Sequence, residues 1–364
     1  MGFFQRLLNK RSKDVQINSN EDFWNWFKLN ADKFHHIVKD GDNIEEKFFH
    51  PLSEALKQLG EGYFFVTGMS DDKTAELVLT PDGNLLKIAQ IETLIENAPS
   101  ISGWKLTALK SAMDSEDFSI AMGEIKFDFD SLSFIDNSDP LYPDEISISI
   151  VHKDYSEENS NQFDTGIFIF LDNLLGELET VTLLDEVKLI SPNEAKVELI
   201  PIKKLPSFLK WRDKEFIEKY EAVRYDTEND SYNIIEYSRK DGHDTVAVIN
   251  TALIGWEAKC SHPWILELEI NFEGNEGGMP YPEQMEQMNI FEDNLSEYLI
   301  DFDGYLNIGR ETGGNQRLIY FACKDFRKPS TVSPQLIKEH SSLDVKFEIY
   351  KDKYWRSLEG FNVK

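Results

Sequence analysis

Three things are scarce in this sequence. It has two cysteines, Cys260 and Cys323, in 364 residues, too few for a disulfide framework or a cysteine-rich metal site. No stretch approaches the roughly 20 apolar residues that a membrane-spanning helix needs, so no membrane span is expected. No secretory leader pattern opens the chain. Positive charge is short as well: 38 Lys and Arg stand against 66 Asp and Glu, a formal net charge of −28. A field of that sign repels phosphate backbones, so no direct nucleic-acid binding is expected. The expected compartment is reducing and cytoplasmic, with both thiols free and buried. There is no Walker loop, dinucleotide fingerprint, nucleophile elbow or metal-spaced Cys/His cluster, so no cofactor and no metal are expected.

What the chain does hold is core material. Its 25 Phe and 13 Tyr suit a globular protein, and its length calls for more than one domain. The pattern predicts an α+β fold in two domains: a basic tail at 1–19, an N-terminal α+β domain at 20–224, an acidic linker at 225–236 and a C-terminal domain at 237–364.

Met1–Lys13 is the one basic stretch. Phe3, Phe4, Leu7 and Leu8 could share a helical face beside Arg6, Lys10 and Arg11, but a dozen residues is marginal for an isolated helix and a frayed terminus is the simpler reading. From Asn20, read as an N-cap, Phe23, Trp26, Phe27, Ala31 and Phe34 recur at helical spacing. A second helix fits 44–59, with a break near His50 because Pro51 falls inside it. His35, His36 and His50 are read as surface or capping residues, since adjacent helical positions point apart. Tyr63–Gly68 and Ala75–Thr80 read as a hairpin, 85–97 as a helix and Trp104–Leu109 as a strand. Downstream, Ile146–Val151 and the apolar run Gly166–Leu171 read as strands, 173–180 as a short helix, and 187–190 with 196–202 as more strand. The order resembles the first set, which suggests an internally duplicated ββαβ. A helix over 204–223 closes the domain.

Two acidic stretches, 124–134 and 225–236, invite a calcium reading. Neither has the Gly at position six and the Glu at position twelve that the loop requires, so strand faces and a linker are expected instead.

In the C-terminal domain 244–255 and 260–272 read as strands. Within the second, Trp264, Leu266, Leu268, Ile270 and Phe272 make an apolar face and Glu267 and Glu269 an acidic, solvated one. Pro280 and Pro282 open a helix to about Asp301. Met285, Met288, Phe291, Leu295, Tyr298 and Leu299 form its inner stripe, and Glu283, Glu286, Glu292 and Asp293 line the rest. The Met-bearing stripe is read as core rather than as a docking face. Tyr305–Arg310 and Arg317–Cys323 flank a hairpin turn at Thr312-Gly313-Gly314-Asn315. Ser333 and Pro334 cap a short helix before a last strand at 343–349. The order βαββαβ is the ferredoxin-like, split βαβ plan.

His262-Pro263-Trp264, the Gly-Gly-Met-Pro at 277–280, Glu292, the hairpin at 304–325 and Asp352-Lys353-Tyr354-Trp355 resemble the bacterial family of domain of unknown function 695, over roughly 240–362. The resemblance implies a ferredoxin-like module, similar in plan to small acidic protein inhibitors of ribonuclease E, and no catalytic residue. Phe23–Phe27 and the stretch 102–110 resemble an uncharacterised segment of similar bacterial proteins.

Three functions remain open. One is a non-enzymatic protein-binding or regulatory module whose partner is another protein, possibly basic, with Arg310, Arg317, Glu267 and Glu269 as binding residues. The arginines are expected to pair across strands with Glu311 or to bind an anion. The second is an acidic inhibitor or immunity-type protein against a basic nuclease. The third is a small hydrolase or transferase in which Cys260 and His262, on one side of a strand, act as nucleophile and base; a buried Cys and an edge His are the plainer account.

Overall fold

The structure is a computed structural model describing residues 16–113, 118–238 and 242–361. The basic stretch Met1–Lys13 lies outside the described residues. Helices and mixed sheets make it an α+β protein. Its described residues form two compact units, 16–113 with 171–181 and 118–170 with 182–361. Among them no helix is long and apolar enough to cross a membrane.

In the first unit, helix α1 (Asn20–Asp40) begins one residue before the expected position. Ser19 is the N-cap, its Oγ accepting from the Asp22 N–H. Order reaches further upstream than the expected tail allows, since Ile17 is 2% exposed and its N–H donates to Gln58 Oε1. The break at Pro51 takes the form of a π-helical turn, Glu45–Phe49, ahead of helix α2 (His50–Leu59). Proline offers no N–H to the carbonyl four residues back, and the widened turn lets His50 N–H reach Glu45 O instead. Strands β1 (Phe64–Met69) and β2 (Ala75–Thr80), helix α3 (Leu85–Glu96) and strand β3 (Trp104–Ala108) follow as predicted. β2 pairs antiparallel with β1 and parallel with β3.

The core of this unit is aromatic: Phe23, Trp24, Phe27, Phe34, Phe48 and Trp104 are all buried. Burying a side chain of that size contributes about 1.5–3 kcal/mol. Both deep indoles find acceptors, Trp24 Nε1 on Leu94 O at 2.7 Å and Trp104 Nε1 on Ala31 O at 3.1 Å, so their polar edges carry no desolvation penalty. The remaining piece comprises the end of helix α4 (Ser160–Leu175) and the start of α5 (Glu177–Leu183).

The second unit opens with a small ribbon, β4 (Ile120–Met122) and β5 (Ile125–Phe127). A four-stranded sheet ordered β8-β7-β6-β9 follows, from β6 (Leu132–Asp136), β7 (Ser147–His152), β8 (Glu186–Ile190) and β9 (Ile200–Pro201), with helix α6 (Leu205–Tyr220) after it. The run 166–171, expected as a strand, is the middle of α4. An apolar run of that length does not distinguish the two states, and Phe163, Ile167, Phe170 and Leu171 recur at helical spacing and are all buried. Gly166 sits so near the Phe127 ring that a Cβ would overlap it, which explains a glycine there despite its low helix propensity. The second half therefore reads strand, helix, helix, strand, and the proposed duplication loses the element order on which it rested. The acidic stretch 124–134 is strand β5, a tight turn and the start of β6, as its strand reading expected; in the turn Asp128 Oδ1 accepts from the N–H groups of Asp130 and Ser131. Lys126 holds that carboxyl down at about 2.

Next comes a six-stranded sheet ordered β10-β11-β13-β14-β12-β15, antiparallel throughout. Its elements are β10 (Tyr232–Ser238), β11 (Asp244–Asn250), α7 (Thr251–Ile254), β12 (Trp264–Asn271), α8 (Pro282–Tyr298), β13 (Tyr305–Gly313), β14 (Gln316–Cys323), α9 (Arg327–Glu339) and β15 (Asp344–Lys351). The stretch expected as a linker supplies, from Tyr232 on, the edge strand. Its alternation matches β11 over seven unbroken pairs and outweighs its polarity. The hairpin turn centres on Gly314-Asn315, both at positive φ, as a type I′ turn requires. Gly309, also at positive φ, lies at the bulge in β13, where a Cβ would collide with the Val248 carbonyl of β11. Helix α9 starts six residues before the expected cap and carries Pro334 inside it. Buried Val332 and Leu336 hold it there, tertiary packing overriding the lost hydrogen bond.

The sheet face bearing Glu267 and Glu269 is not open to solvent throughout. Leu253, Ile254, Trp355 and Leu358 pack onto Ile265, Ala322 and Tyr320 on that side.

A buried ionic clasp lies within this unit. Asp185, just before β8, receives Lys351 and Lys353 Nζ at 2.8 Å each and the Ile146 N–H at 2.6 Å. Lys351 also donates to Thr182 O, and Lys353 to Asp144 O, at 2.6 Å each. Asp144 in turn accepts from Lys219, Tyr220 and Tyr354. This clasp ties Asp144, Asp185 and helix α6 to the C-terminal segment, and residues 118–170 and 182–361 form one unit across 225–236.

Candidate functional site

Helix α8 presents exposed carboxylates on one side and packs its other side on the six-stranded sheet. Pro282 fits its first turn, where no N–H is required, and Gln284 accepts from the Tyr281 N–H at 2.9 Å. Its inner stripe is Met288, Phe291, Glu292, Leu295 and, just beyond it, Leu299, all buried. Tyr298, expected inside, is 40% exposed. Glu292, expected outside, is 6% exposed. The reason lies on the sheet beneath it.

Arg310 and Arg317 both point at Glu292. Arg310 Nη1 donates to its two oxygens at 3.0 and 3.1 Å, and Arg317 Nη1 stands 3.9 Å away. Arg317 is 1% exposed and spends its donors on Thr312 Oγ1, Asn289 Oδ1 and Met285 Sδ. Burial, with Arg310 alongside, pulls its guanidinium down to about 10. The cross-strand pairing with Glu311 does not form because strand side chains alternate: Arg310 and Thr312 face the helix, and Glu311 faces away. On that other face Glu311 accepts from the hydroxyls of Tyr237 and Tyr320. Glu267 and Glu269 share it, half-buried. Glu267 takes a 3.4 Å bond from Tyr350, and its carboxyl is raised by burial and by neighbouring Glu348, Glu311 and Glu269. Glu269 is held by Asn271 Nδ2 at 2.9 Å. The arginines are thus anchors of α8, and neither points outward as a free anion site.

Outside that anchor the helix carries Glu286, Ile290, Asp293 and Glu297 along one exposed stripe. Ile290 is 46% exposed, and Phe302, just beyond the helix, is 81% exposed. Among the described residues no ion pair reaches those three carboxylates. At the other end an open cleft of about 430 Å³ runs between α8 and the ends of β12 and β15. Met288 and Phe272 are among its apolar lining, with Gln284, Gln287, Glu273 and Asp344 around them. Two carboxylates and neutral amides over an apolar floor suit a basic side chain with an aliphatic stem.

Cys260 and His262 do not act on one strand. Cys260 lies in a short 3-10 turn, Lys259–Ser261, before β12 begins. His262 Nδ1 is 2.9 Å from Ser261 Oγ, and its ring packs on Trp256. The surroundings of Cys260 are Asp144, Tyr220 and Tyr354. Burial and the Asp144 charge push the thiol up to about 11, and burial with Lys324 and Arg224 nearby pulls His262 down to about 3. A nucleophilic pair needs the opposite shifts. Cys323 is fully buried and its thiol is raised further by the same cause. Both thiols should therefore stay unlabelled by an aromatic disulfide reagent at pH 7.5 and react in stoichiometric amount once the chain is unfolded in urea. Rapid labelling of Cys260 in the folded chain would revive the nucleophile reading.

Compared with family models, curated proteins and solved structures, the chain has no match.

Proposed function

We propose that this chain is a non-enzymatic protein-binding module that docks the outer stripe of α8 onto a basic partner. One observation carries the reading: Glu286, Asp293 and Glu297 flank exposed Ile290 on a helix whose inward carboxylate is neutralised from below while the outward ones are not. Interfaces of that make-up combine an apolar centre with a charged rim that steers encounter. The net charge of −28 extends the same preference, and the cleft beside α8 would take a lysine or arginine of the partner. The ferredoxin-like reading of residues 264–351 rests on their β-α-β-β-α-β order and the sequence β15-β12-β14-β13 across the sheet.

The test is affinity capture from the chain's own cell extract at low salt. A stoichiometric basic protein is expected, released at roughly 0.5 M salt as the screening length shrinks. A variant carrying Glu286→Lys, Asp293→Lys and Glu297→Lys should lose at least about tenfold in affinity for it, about 1.4 kcal/mol. Clean recovery of the chain alone, or undiminished capture by the triple variant, would sink the proposal.

A further inference from the structure

The six-stranded sheet divides into three neighbouring strand pairs, β10/β11, β13/β14 and β12/β15. Helix α8 lies over β13 and β14, tied down by Arg310 and Arg317. Helix α9 lies beside it and packs against β15. Phe291 and Asn294 of α8 meet His340 at the end of α9. The third pair differs. Among the described residues no helix lies over β10 and β11 on this face, where Ile234 is 71% exposed. Helix α7 packs on the opposite face, its Leu253 and Ile254 against Ala247 and Ile249.

The register identifies the side chains on the uncovered strip. Val248 is paired with Arg310 and Ile234, and Val246 with Thr312 and Glu236; residues paired across strands share a face. Arg310 reaches up to Glu292 of α8, so these residues lie on the same face as the helix. Val246 and Val248 are only half-buried, while Thr245, Ala247 and Ile249 between and beside them are buried on the far face. The strip is thus an apolar trough with α8 as its wall. Acid stands along both rims. Glu236 is exposed on β10, and Glu286 and Asp293 are exposed on the flank of α8 turned away from α9. Arg310, at the foot of the wall, is neutralised by Glu292.

We propose that this trough receives one amphipathic helix of the basic partner, its apolar stripe on Ile234, Val246 and Val248 and its lysines or arginines against Glu236, Glu286 and Asp293. The inference rests on the reading of α8 as a face for a basic partner, and adds the form of the docking element and its seat. Dimensions favour a helix. Moving from one strand pair to the next is two strand spacings, roughly 10 Å, which is the distance at which packed helices lie side by side. The seven residues of β10 extend about 24 Å, the length of about 16 helical residues, and α8 itself has 17. A helix there would continue the layer in which α8 and α9 each lie over one strand pair, and it would bury the trough by the helix-in-groove mode.

The test uses the full chain and two labelled peptides of about 18 residues, identical in their content of Leu, Ala and Lys. One places Leu at the i, i+3, i+4, i+7 spacing of a single helical stripe, and the other scatters it. Fluorescence anisotropy at about 0.15 M salt should show the striped peptide binding one to one, at least about tenfold tighter than the scattered one. Circular dichroism should show that it gains helix on binding. Ile234→Glu and Val248→Glu should each weaken it about tenfold by placing a charge under the apolar stripe. Simple attraction to an acidic chain predicts the opposite sign, because each variant adds a negative charge. Ile234→Glu alters a mostly exposed side chain, so it keeps the test valid if Val248→Glu fails to fold.

Equal binding of the two peptides overturns the proposal, as does binding undiminished or tightened in folded Ile234→Glu. A bound peptide that gains strand instead of helix overturns it too, and assigns the contact to the open edge of β10. The assay needs no natural partner, so the two readings fail separately. A partner captured from extract that is lost in the α8 triple variant but kept in Ile234→Glu overturns the trough alone. A failed capture beside striped, helical peptide binding overturns the extract reading alone.

Discussion

Glu177→Ala is expected to destabilise the first unit by about 3–5 kcal/mol, at the large end for a single substitution, because it breaks a buried hydrogen-bond network. Glu177 is 0% exposed. Its carboxylate accepts from Thr80 Oγ1 at 2.6 and 2.8 Å, from the Gly83 N–H at 3.1 Å and from the Lys110 N–H at 3.2 Å. Those donors lie at the end of β2, in the following turn and after β3, and Glu177 itself arrives from the distant segment 171–181. One side chain therefore fastens the two pieces of this unit. Alanine would leave the buried Thr80 hydroxyl without its acceptor, at about 1–3 kcal/mol, and would take the acceptor from the Gly83 and Lys110 N–H groups, which lie nearer the surface. Glu177→Gln keeps the shape and one acceptor, so its cost should be smaller, roughly half. Hydrogen exchange resolves the effect locally: amides of β2, β3 and the turn at Gly83 should lose protection in the alanine variant while those of β12 and β14 keep theirs. Unchanged exchange in β2 would show that the carboxylate does not hold the unit together.

The hairpins and amphipathic helices were legible because each has a period. Ala75–Thr80, 85–97 and the alternation from Trp264 to Phe272 carry their own burial pattern; the structure places the first two within a residue, and starts the strand read as 260–272 four residues later, at Trp264. Long-range polar choices have no period. Glu177, Asp185 and Glu292 look in sequence like any other acidic residue, and the structure buries all three side chains. Glu292 had one local clue, its spacing of four after Met288 and three before Leu295, which puts it on the apolar stripe. The Asp352-Lys353-Tyr354-Trp355 motif was visible as a motif. Its purpose was not, since Lys353, Tyr354 and Trp355 meet Asp185, Asp144 and the His262 carbonyl from roughly 90 to 210 residues away. The run 166–171 failed for a different reason: a stretch apolar all round has no moment to read. Cys260 and His262 failed because a two-residue spacing has meaning only inside a strand, and β12 begins after them.

Asp185→Asn should be the most damaging single change in the second unit, again at about 3–5 kcal/mol, because it strands two buried lysines without their shared counter-ion. Lys351 and Lys353 side chains are 12% and 6% exposed, and Asp185 is 11% exposed. Burial works to raise the Asp185 carboxyl, but the two lysines and their hydrogen bonds outweigh it and hold the group below 3.8, its ordinary value. The sign follows from proton counts. Near and below that value the unfolded chain binds this proton and the folded chain does not, so stability rises with pH there. The contribution is fully present above about pH 5 and is lost as pH falls through the depressed folded value. Urea midpoints measured from pH 2.5 to 6 should therefore show a steep acid limb in the parent and a shallower one, offset downward, in Asp185→Asn. A companion variant, Asp185→Leu with Lys351→Met and Lys353→Met, removes the charges together and should recover much of the loss, since well-packed apolar replacements of buried ion pairs are often neutral or stabilising. If Asp185→Asn lies within about 1 kcal/mol of the parent at pH 7, a range ordinary for exposed pairs, the clasp is a solvated surface contact. The grouping of residues 118–170 and 182–224 with the C-terminal sheet would then have to rest on apolar packing alone.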